Sequence, residues 1–304
     1  MVEVTDAQGR VFDPRFTALV GEAPRLERIV EGLRVGEGPV WVAADRRLVF
    51  SDVVHSREMA WSEAGGAVVL REPSNKANGH ALDGRGRLIC CEGVTSQVVR
   101  AEPDGARTVL ASHYQGKGLN GPNDVIVDRR ERIWFTDPSF ARTNPHGGLV
   151  RPLELDFRGV FRIEADGSLH LAADDFAEPN GLCLSPDQAL LYVNDTARAH
   201  VRRFSVGADG GLGGGEVWAE PRAADIDDGG HPDGMKCDVH GNVWVTGPGG
   251  LHIYAADATP LGILRMPERT HNFAFGGGNG DELFIGAFTS YYRVRLPRGL
   301  AIAG

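Results

Sequence analysis

Short runs of alternating apolar and polar positions recur along the chain, each introduced by an acidic or glycine-containing turn. They read ADRRLVFSDV (44–53), DGRGRLICCE (83–92), DRRERIWFTD (128–137), DQALLYVNDT (187–196), DVHGNVWVTG (238–247) and GDELFIGAF (280–288). Alternation sends successive side chains to opposite faces, so these runs predict strands and not helices. Their β-branched, aromatic and aliphatic content fits the same assignment. A second phrase precedes each run: EGPVW (37–41), NGHAL (78–82), PNDVI (122–126), PNGLC (179–183), PDGMK (232–236) and HNFAF (271–275). The matching polar residues are Glu37, Asn78, Asn123, Asn180, Asp233 and Asn272. Each precedes the first apolar residue of the run that follows, in turn Leu48, Leu88, Ile133, Leu190, Val243 and Leu283, and the sequence offset between the two is nearly constant around the repeat.

The spacing from one copy to the next varies more, because loops of different length join the copies. A period of roughly 40–50 residues built from short strands is the mark of a β-propeller blade. Helix-pair solenoids share the period but would show a 3.6-residue repeat. The chain is therefore expected to be all-β, a six-bladed propeller over residues 31–304. The two longest intervals carry insertions at 141–157 and at the glycine-rich 207–215. Residues 1–30 lie outside the repeat and are expected to form an N-terminal extension packed on the propeller. One or two short helices are expected there, with Phe16, Leu19 and Val20 on one side.

Glycine is abundant, 41 of 304 residues, which agrees with many tight turns. Lys and Arg total 32 against 41 Asp and Glu, a net charge of −9. Such a chain is poorly suited to nucleic acid or an anionic membrane. No apolar stretch approaches the length that a membrane-spanning helix needs. The first residues lack the basic and apolar regions of a signal peptide. The expectation is a cytoplasmic protein, with a periplasmic or exported one as the alternative should a leader precede this sequence. The four cysteines, Cys90, Cys91, Cys183 and Cys237, form no CxxC pair and read as buried free thiols.

In a propeller the first strand of each blade lines the axis, so the six matched polar residues form a ring. It holds two carboxylates, four amides and no Lys or Arg. Two carboxylates in a narrow channel are costly unless a cation balances them. An all-oxygen donor set fits a hard divalent ion such as Ca²⁺ and disfavours Zn²⁺. Places left for water or substrate would suit a Lewis-acid catalyst. The NG and DG pairs are also common turn formers, so each glycine alone reads as a turn signal. Asp52, Asp137 and Asp195, at the ends of the runs, read as turn or capping residues. No nucleophile elbow, zinc-protease motif or phosphate loop is present.

EGPVW, GLNGPNDVIVD with RIWFTDPSF, EPNGLCLSPD with LLYVNDT, and HPDGMKCDVHGNVWVTGPGGL together resemble the gluconolactonase family. That family includes regucalcin and is structurally related to calcium-dependent organophosphatases. The resemblance runs from about residue 30 to residue 290, and ELDFRGVFRI (154–163) is most similar to the bacterial gluconolactonases. It implies one axial divalent cation held by Glu37, Asn123, Asn180 and Asp233. Ca²⁺ comes first, with Mg²⁺, Mn²⁺ and Zn²⁺ as alternatives. It implies hydrolysis of sugar lactones, with Asp233 as base as well as ligand. Animal members carry a substrate-contacting Arg two residues before the blade-three Asn; this chain has Gly121 there, so substrate contacts do not carry over.

The activity expected is opening of a small sugar lactone, D-glucono-1,5-lactone to gluconate. The cation polarises the carbonyl and Asp233 takes the proton of the attacking water. Ligation makes Asp233 a weaker base, which leaves a hydroxide held by the cation as the alternative. Asn78, with His80 and His271 beside the ring positions, is expected to shape the substrate pocket. Two other readings remain at this point: a phosphotriesterase-like hydrolase on the same site, and a non-catalytic calcium-binding propeller. Oligomeric state is left open.

Overall fold

Blade one shows how the repeat becomes structure. Its four antiparallel strands are Gly36–Val42, Arg47–Asp52, Arg57–Ser62 and Gly66–Arg71, running outward from the axis. The second strand is buried on both faces: Leu48, Val49, Phe50, Ser51 and Asp52 are each at most 2% exposed. Neighbouring blades sandwich it, and the same holds for Ile133–Asp137 and Val243–Gly247. That is why these runs are so rich in apolar residues on both alternating faces.

The computed structural model describes residues 3–6, 9–223, 225–297 and 300. It is a six-bladed β-propeller. The innermost strands are Gly36–Val42, Ala77–Leu82, Val125–Val127, Pro179–Leu184, Met235–Cys237 and Thr270–Gly276. Each packs on the innermost strand of the next blade, and that of blade six returns to blade one. All four cysteines are free and buried. Among the described residues no helix is long and apolar enough to cross a membrane.

The acidic residue that opens each run has a structural task. Asp128 Oδ1 accepts the backbone N–H groups of Arg130 and Arg132, and its Oδ2 accepts the Trp134 indole N–H at 2.9 Å. Asp238 does the same for His240, Asn242 and Trp244. One carboxylate thus closes the hairpin turn and satisfies a buried indole donor.

The N-terminal region departs from the expected extension. Arg25–Glu31 is the fourth strand of blade six, antiparallel to Ser290–Arg295, with Glu31 opposite Ser290 and Leu26 opposite Val294. Among the described residues from Thr270 onward, blade six has three strands of its own. The early strand pairs with the backbone groups the third would leave open, and closes the ring. Gly9–Val11 adds a fifth strand to blade five and Glu3–Asp6 a fifth to blade six. The helix Arg15–Val20, which follows them in the chain, buries Phe16, Leu19 and Val20. Phe16 packs over Gly262 of blade five, where a Cβ would meet its ring at 2.4 Å.

Candidate functional site

The segments entering the innermost strands are held by the carboxylates that end the second strands. Asp52 Oδ1 accepts the Arg34 N–H at 2.9 Å. Asp137 takes the N–H groups of Asn120 and Gly121, and Asp195 those of Ala177 and Glu178. These anchors lie just ahead of Glu37, Asn123 and Asn180 and fix their direction of entry. The capping role expected for the three aspartates is what the structure shows.

The glycine after a ring residue is not a turn. Asn180 and Gly181 lie inside the strand Pro179–Leu184, where Gly181 N–H donates to Asp233 O at 3.0 Å. A Cβ on Gly181 would fall 2.1 Å from that carbonyl; one on Gly38 (φ +51°) would fall 1.8 Å from Asn78 O. Absence of a side chain lets neighbouring blades close around the axis, which draws the ring residues together.

At one end of the axis is a cavity of about 460 Å³. Glu37, Asn78, Asn123, Asn180, Asp233 and His271 line it. Glu37 and Asp233 are 4% and 7% exposed, and with His271 they present ligand atoms within 4.8 Å of one another. Glu37 Oε2 accepts from Gly38 N–H at 2.8 Å and from Asn272 Nδ2 at 3.1 Å. Asn180 Nδ2 donates to Thr196 Oγ1 at 3.1 Å, and that hydroxyl donates to Pro232 O at 2.7 Å. His271 Nδ1 stands 3.1 Å from Asp233 Oδ2, while its Nε2 is buried without a partner.

Burial pushes the Glu37 carboxyl up to about 8, with the Asp233 charge adding to the effect. Burial likewise pushes Asp233 up to about 6. His271 is pushed down to about 4, again by burial, so it is neutral at neutral pH. No Lys or Arg among the described residues bonds either carboxylate and the His271 beside them is neutral, so the two resist ionising together, although His231 and Arg269 nearby favour the Asp233 anion. The Asn78 side-chain oxygen is buried with no hydrogen-bond partner. An oxygen-rich set with an unpartnered acceptor and two uncompensated carboxylates fits a divalent cation.

Two ring-associated residues stand elsewhere. Asn272 does not line the cavity; it supports Glu37, and its Oδ1 accepts from Phe273 N–H and Lys236 Nζ. His80 does not line the cavity either, a correction to its expected role in substrate binding. Its Nδ1 bonds Gly38 O at 2.7 Å, and its Nε2 lies 3.9 Å from Glu58 Oε2 beside Cys90. Plain alternation would put Asn78 and His80 on one face; a β-bulge between Ala77 and His80 breaks the register, so that Asn78 faces the axis cavity and His80 enters the space between blades one and two. Burial opposes charge on His80, but Cys90 and Glu58 outweigh it and hold its pKa up to about 10. Glu58 in turn binds Arg71 and Arg107.

Sequence reasoning missed Arg34, Thr196, His231, Arg269 and Phe288, all on the cavity wall. Arg34 and Arg269 stand at the same place ahead of their ring residues, a signal visible in the alignment of copies. The 141–157 insertion contributes too: Asn144 and His146 border the cavity, as does Phe140 just ahead of it, with the short helix Phe140–Thr143 beside it. The same helix accounts for Gly121. A Cβ there would meet Ala141 Cβ at 2.3 Å, so blade three has no room for a side chain at this point.

Residues 35–289 match the family model described as SMP-30/Gluconolactonase/LRE-like region. The chain belongs to this family. It is 31% identical to a gluconolactonase of Zymomonas mobilis, an alignment spanning 93% of this chain and 85% of that protein. The solved structure of a Xanthomonas campestris gluconolactonase is 33% identical, with a TM-score of 0.90 over 98% of this chain and 97% of that one. A calcium-binding regucalcin of Agrobacterium tumefaciens, 18% identical, superposes with a TM-score of 0.72 over 98% of each chain, a likeness of fold. The family match covers all six ring residues, so the cavity they shape lies within the SMP-30/gluconolactonase region.

Proposed function

We propose that the chain is a lactone hydrolase that opens sugar lactones, D-glucono-1,5-lactone to gluconate among them, at the axial cavity. The observation that carries this reading is the convergence of Glu37 and Asp233 with Asn123 and Asn180 on the wall of an open cavity. A purely structural cation would not need a cavity beside it large enough for a sugar. The gluconolactonase relatives support the same chemistry.

Glu37, Asn123, Asn180 and Asp233 would hold a divalent cation, Ca²⁺ first on the hardness of the donors. A cation held there would balance the two carboxylates and supply a Lewis acid for the lactone carbonyl. Asp233 accepts a proton from the attacking water as the water oxygen bonds to the carbonyl carbon. It returns that proton to the ring oxygen as the ring C–O bond breaks, giving the open hydroxy acid. His271, neutral, donates from Nδ1 to Asp233 Oδ2 and holds that carboxylate in place. Asn78 offers its free side-chain oxygen to a substrate hydroxyl, and Thr196 orients Asn180.

The test is acid release from D-glucono-1,5-lactone above the spontaneous rate, before and after chelation and with Ca²⁺ restored. Activity lost with chelator and regained with Ca²⁺ is expected. Absence of turnover with any divalent ion, by protein that still binds Ca²⁺, would overturn the proposal.

A further inference from the structure

Arg34 and Arg269 occupy the same register in adjacent blades. Arg34 stands ahead of Glu37 in blade one as Arg269 stands ahead of Asn272 in blade six. The other four blades have Asn75, Asn120, Ala177 and Gly230 at this position. Both arginines are on the cavity wall.

Neither guanidinium has a carboxylate partner among the described residues. The Arg34 guanidinium makes no hydrogen bond or ion pair there, and Arg269 donates only to His231, at 2.7 Å to Nε2. Arg34 is exposed and Arg269 half-buried; less exposed arginines elsewhere hold acids, Arg71 holding Glu58 and Glu92, and Arg132 holding Asp128 at 2.6 Å. The acids on the cavity wall are Glu37 and Asp233, which a bound cation balances. In a chain of net charge −9, these two guanidinium groups stand on the blade-six and blade-one side of the mouth without an acid bonded to them, Glu268 being engaged by Thr289 and Tyr292. Guanidinium groups bind phosphate, sulfonate and carboxylate through paired N–H donors, and an uncompensated pair draws an anion toward the cavity.

We propose that the preferred substrate is a sugar lactone bearing an anionic group on the carbon chain away from the reacting carbonyl, and that Arg34 and Arg269 bind that group. This rests on the lactonase reading of the site. In blade three, closed at Gly121 by Ala141, position 121 carries no side chain that could compete.

The experiment compares kcat/KM of the Ca²⁺-loaded enzyme for D-glucono-1,5-lactone, its 6-phosphate, and D-glucaro-1,4-lactone. The expected result is a preference of tenfold or more for at least one anionic lactone, falling as salt is raised. Which of the two leads identifies phosphate or carboxylate as the group read. In R34Q/R269Q the ratio of anionic to neutral kcat/KM should fall toward one through KM, with the melting temperature checking the fold. Equal kcat/KM for all three lactones, or an unchanged ratio in the double variant, overturns the proposal and leaves the lactonase reading standing. Calorimetry with 6-phospho-D-gluconate and D-gluconate separates the opposite case. If no lactone is opened but the phosphate compound binds wild type and not R34Q/R269Q, the anion site stands and the lactonase reading falls.

Discussion

The Asp137 carboxylate accepts the backbone N–H groups of Asn120 and Gly121 at 2.9 and 2.7 Å, immediately ahead of Asn123. This carboxylate is fully buried and does not line the cavity, yet it decides where Asn123 enters it. Asp195 and Asp52 repeat the arrangement ahead of Asn180 and Glu37. Three of the four proposed cation ligands are thus aimed by backbone hydrogen bonds to a neighbouring strand's end.

Asp137→Asn tests that device. An amide in place of the carboxylate turns an NH₂ group toward a backbone donor and strands one N–H in a buried position. A loss of about 1–3 kcal/mol in unfolding free energy is expected, with weaker Ca²⁺ binding. Denaturant unfolding and Ca²⁺ titration check it. Unchanged stability would mean the carboxylate is not what holds the segment.

Gly181→Ala addresses the packing of blades around the axis. The added methyl would press on Asp233 O from 2.1 Å, backbone against backbone, with no flexible atom to yield. Overpacking of this kind costs about 1–3 kcal/mol, and here the shift falls directly on Asp233. The expected outcome is a lower melting temperature together with loss of lactonase activity. Full activity at native stability would refute close approach as the reason for the glycine.

The pH dependence of the cation-free protein follows from the two buried carboxylates. Both are pushed up by burial, Glu37 from 4.5 to about 8 and Asp233 from 3.8 to about 6. At these two carboxylates the folded state holds more protons than the unfolded one between roughly pH 4 and pH 8, so their contribution to stability falls as pH rises through that window; His271, pushed down to about 4, offsets part of it below about pH 6.5. In chelator the melting temperature should decline from pH 5 to pH 8. Ca²⁺, which binds the ionised pair, should raise it more at pH 8 than at pH 5. Glu37→Gln should flatten the decline in chelator and shrink the Ca²⁺ increment. A melting temperature independent of pH in chelator would contradict the burial argument.

Much of this was legible in the chain because a repeat is a strong signal. Six nearly equal offsets located the innermost strands, and the ring from Glu37 to Asn272 followed from fold geometry. What a one-dimensional pattern cannot carry is the direction of a side chain further along the strand. Asn78 reaches the cavity whereas His80 turns between the blades, so nearness in sequence to a ring residue misled. Nor does the repeat reveal closure: Leu26 and Val30 alternate like strand residues, but their partner strand Ser290–Arg295 comes from the far end of the chain. Arg34 and Arg269 share a register that the copies display, but only two of the six blades carry it, and a pair is a weaker signal than a complete ring.

Thr196 gives the last prediction, about a residue that meets the proposed ligands only through another side chain. Its hydroxyl accepts from Asn180 Nδ2 and donates to Pro232 O, so it ties Asn180 to the residue preceding Asp233. With Nδ2 engaged there, the Asn180 side-chain oxygen is the atom left to bind a cation. Thr196→Val keeps the shape and removes both bonds, freeing the amide to rotate and leaving Pro232 O without its donor. Loss of such a support costs roughly 10–100-fold in metal affinity or activity. The Ca²⁺ concentration giving half-maximal activity should rise by that order in Thr196→Val, and Thr196→Ser, which restores the hydroxyl, should recover most of it. If valine and serine behave alike, the methyl packing of Thr196 matters and its hydroxyl does not.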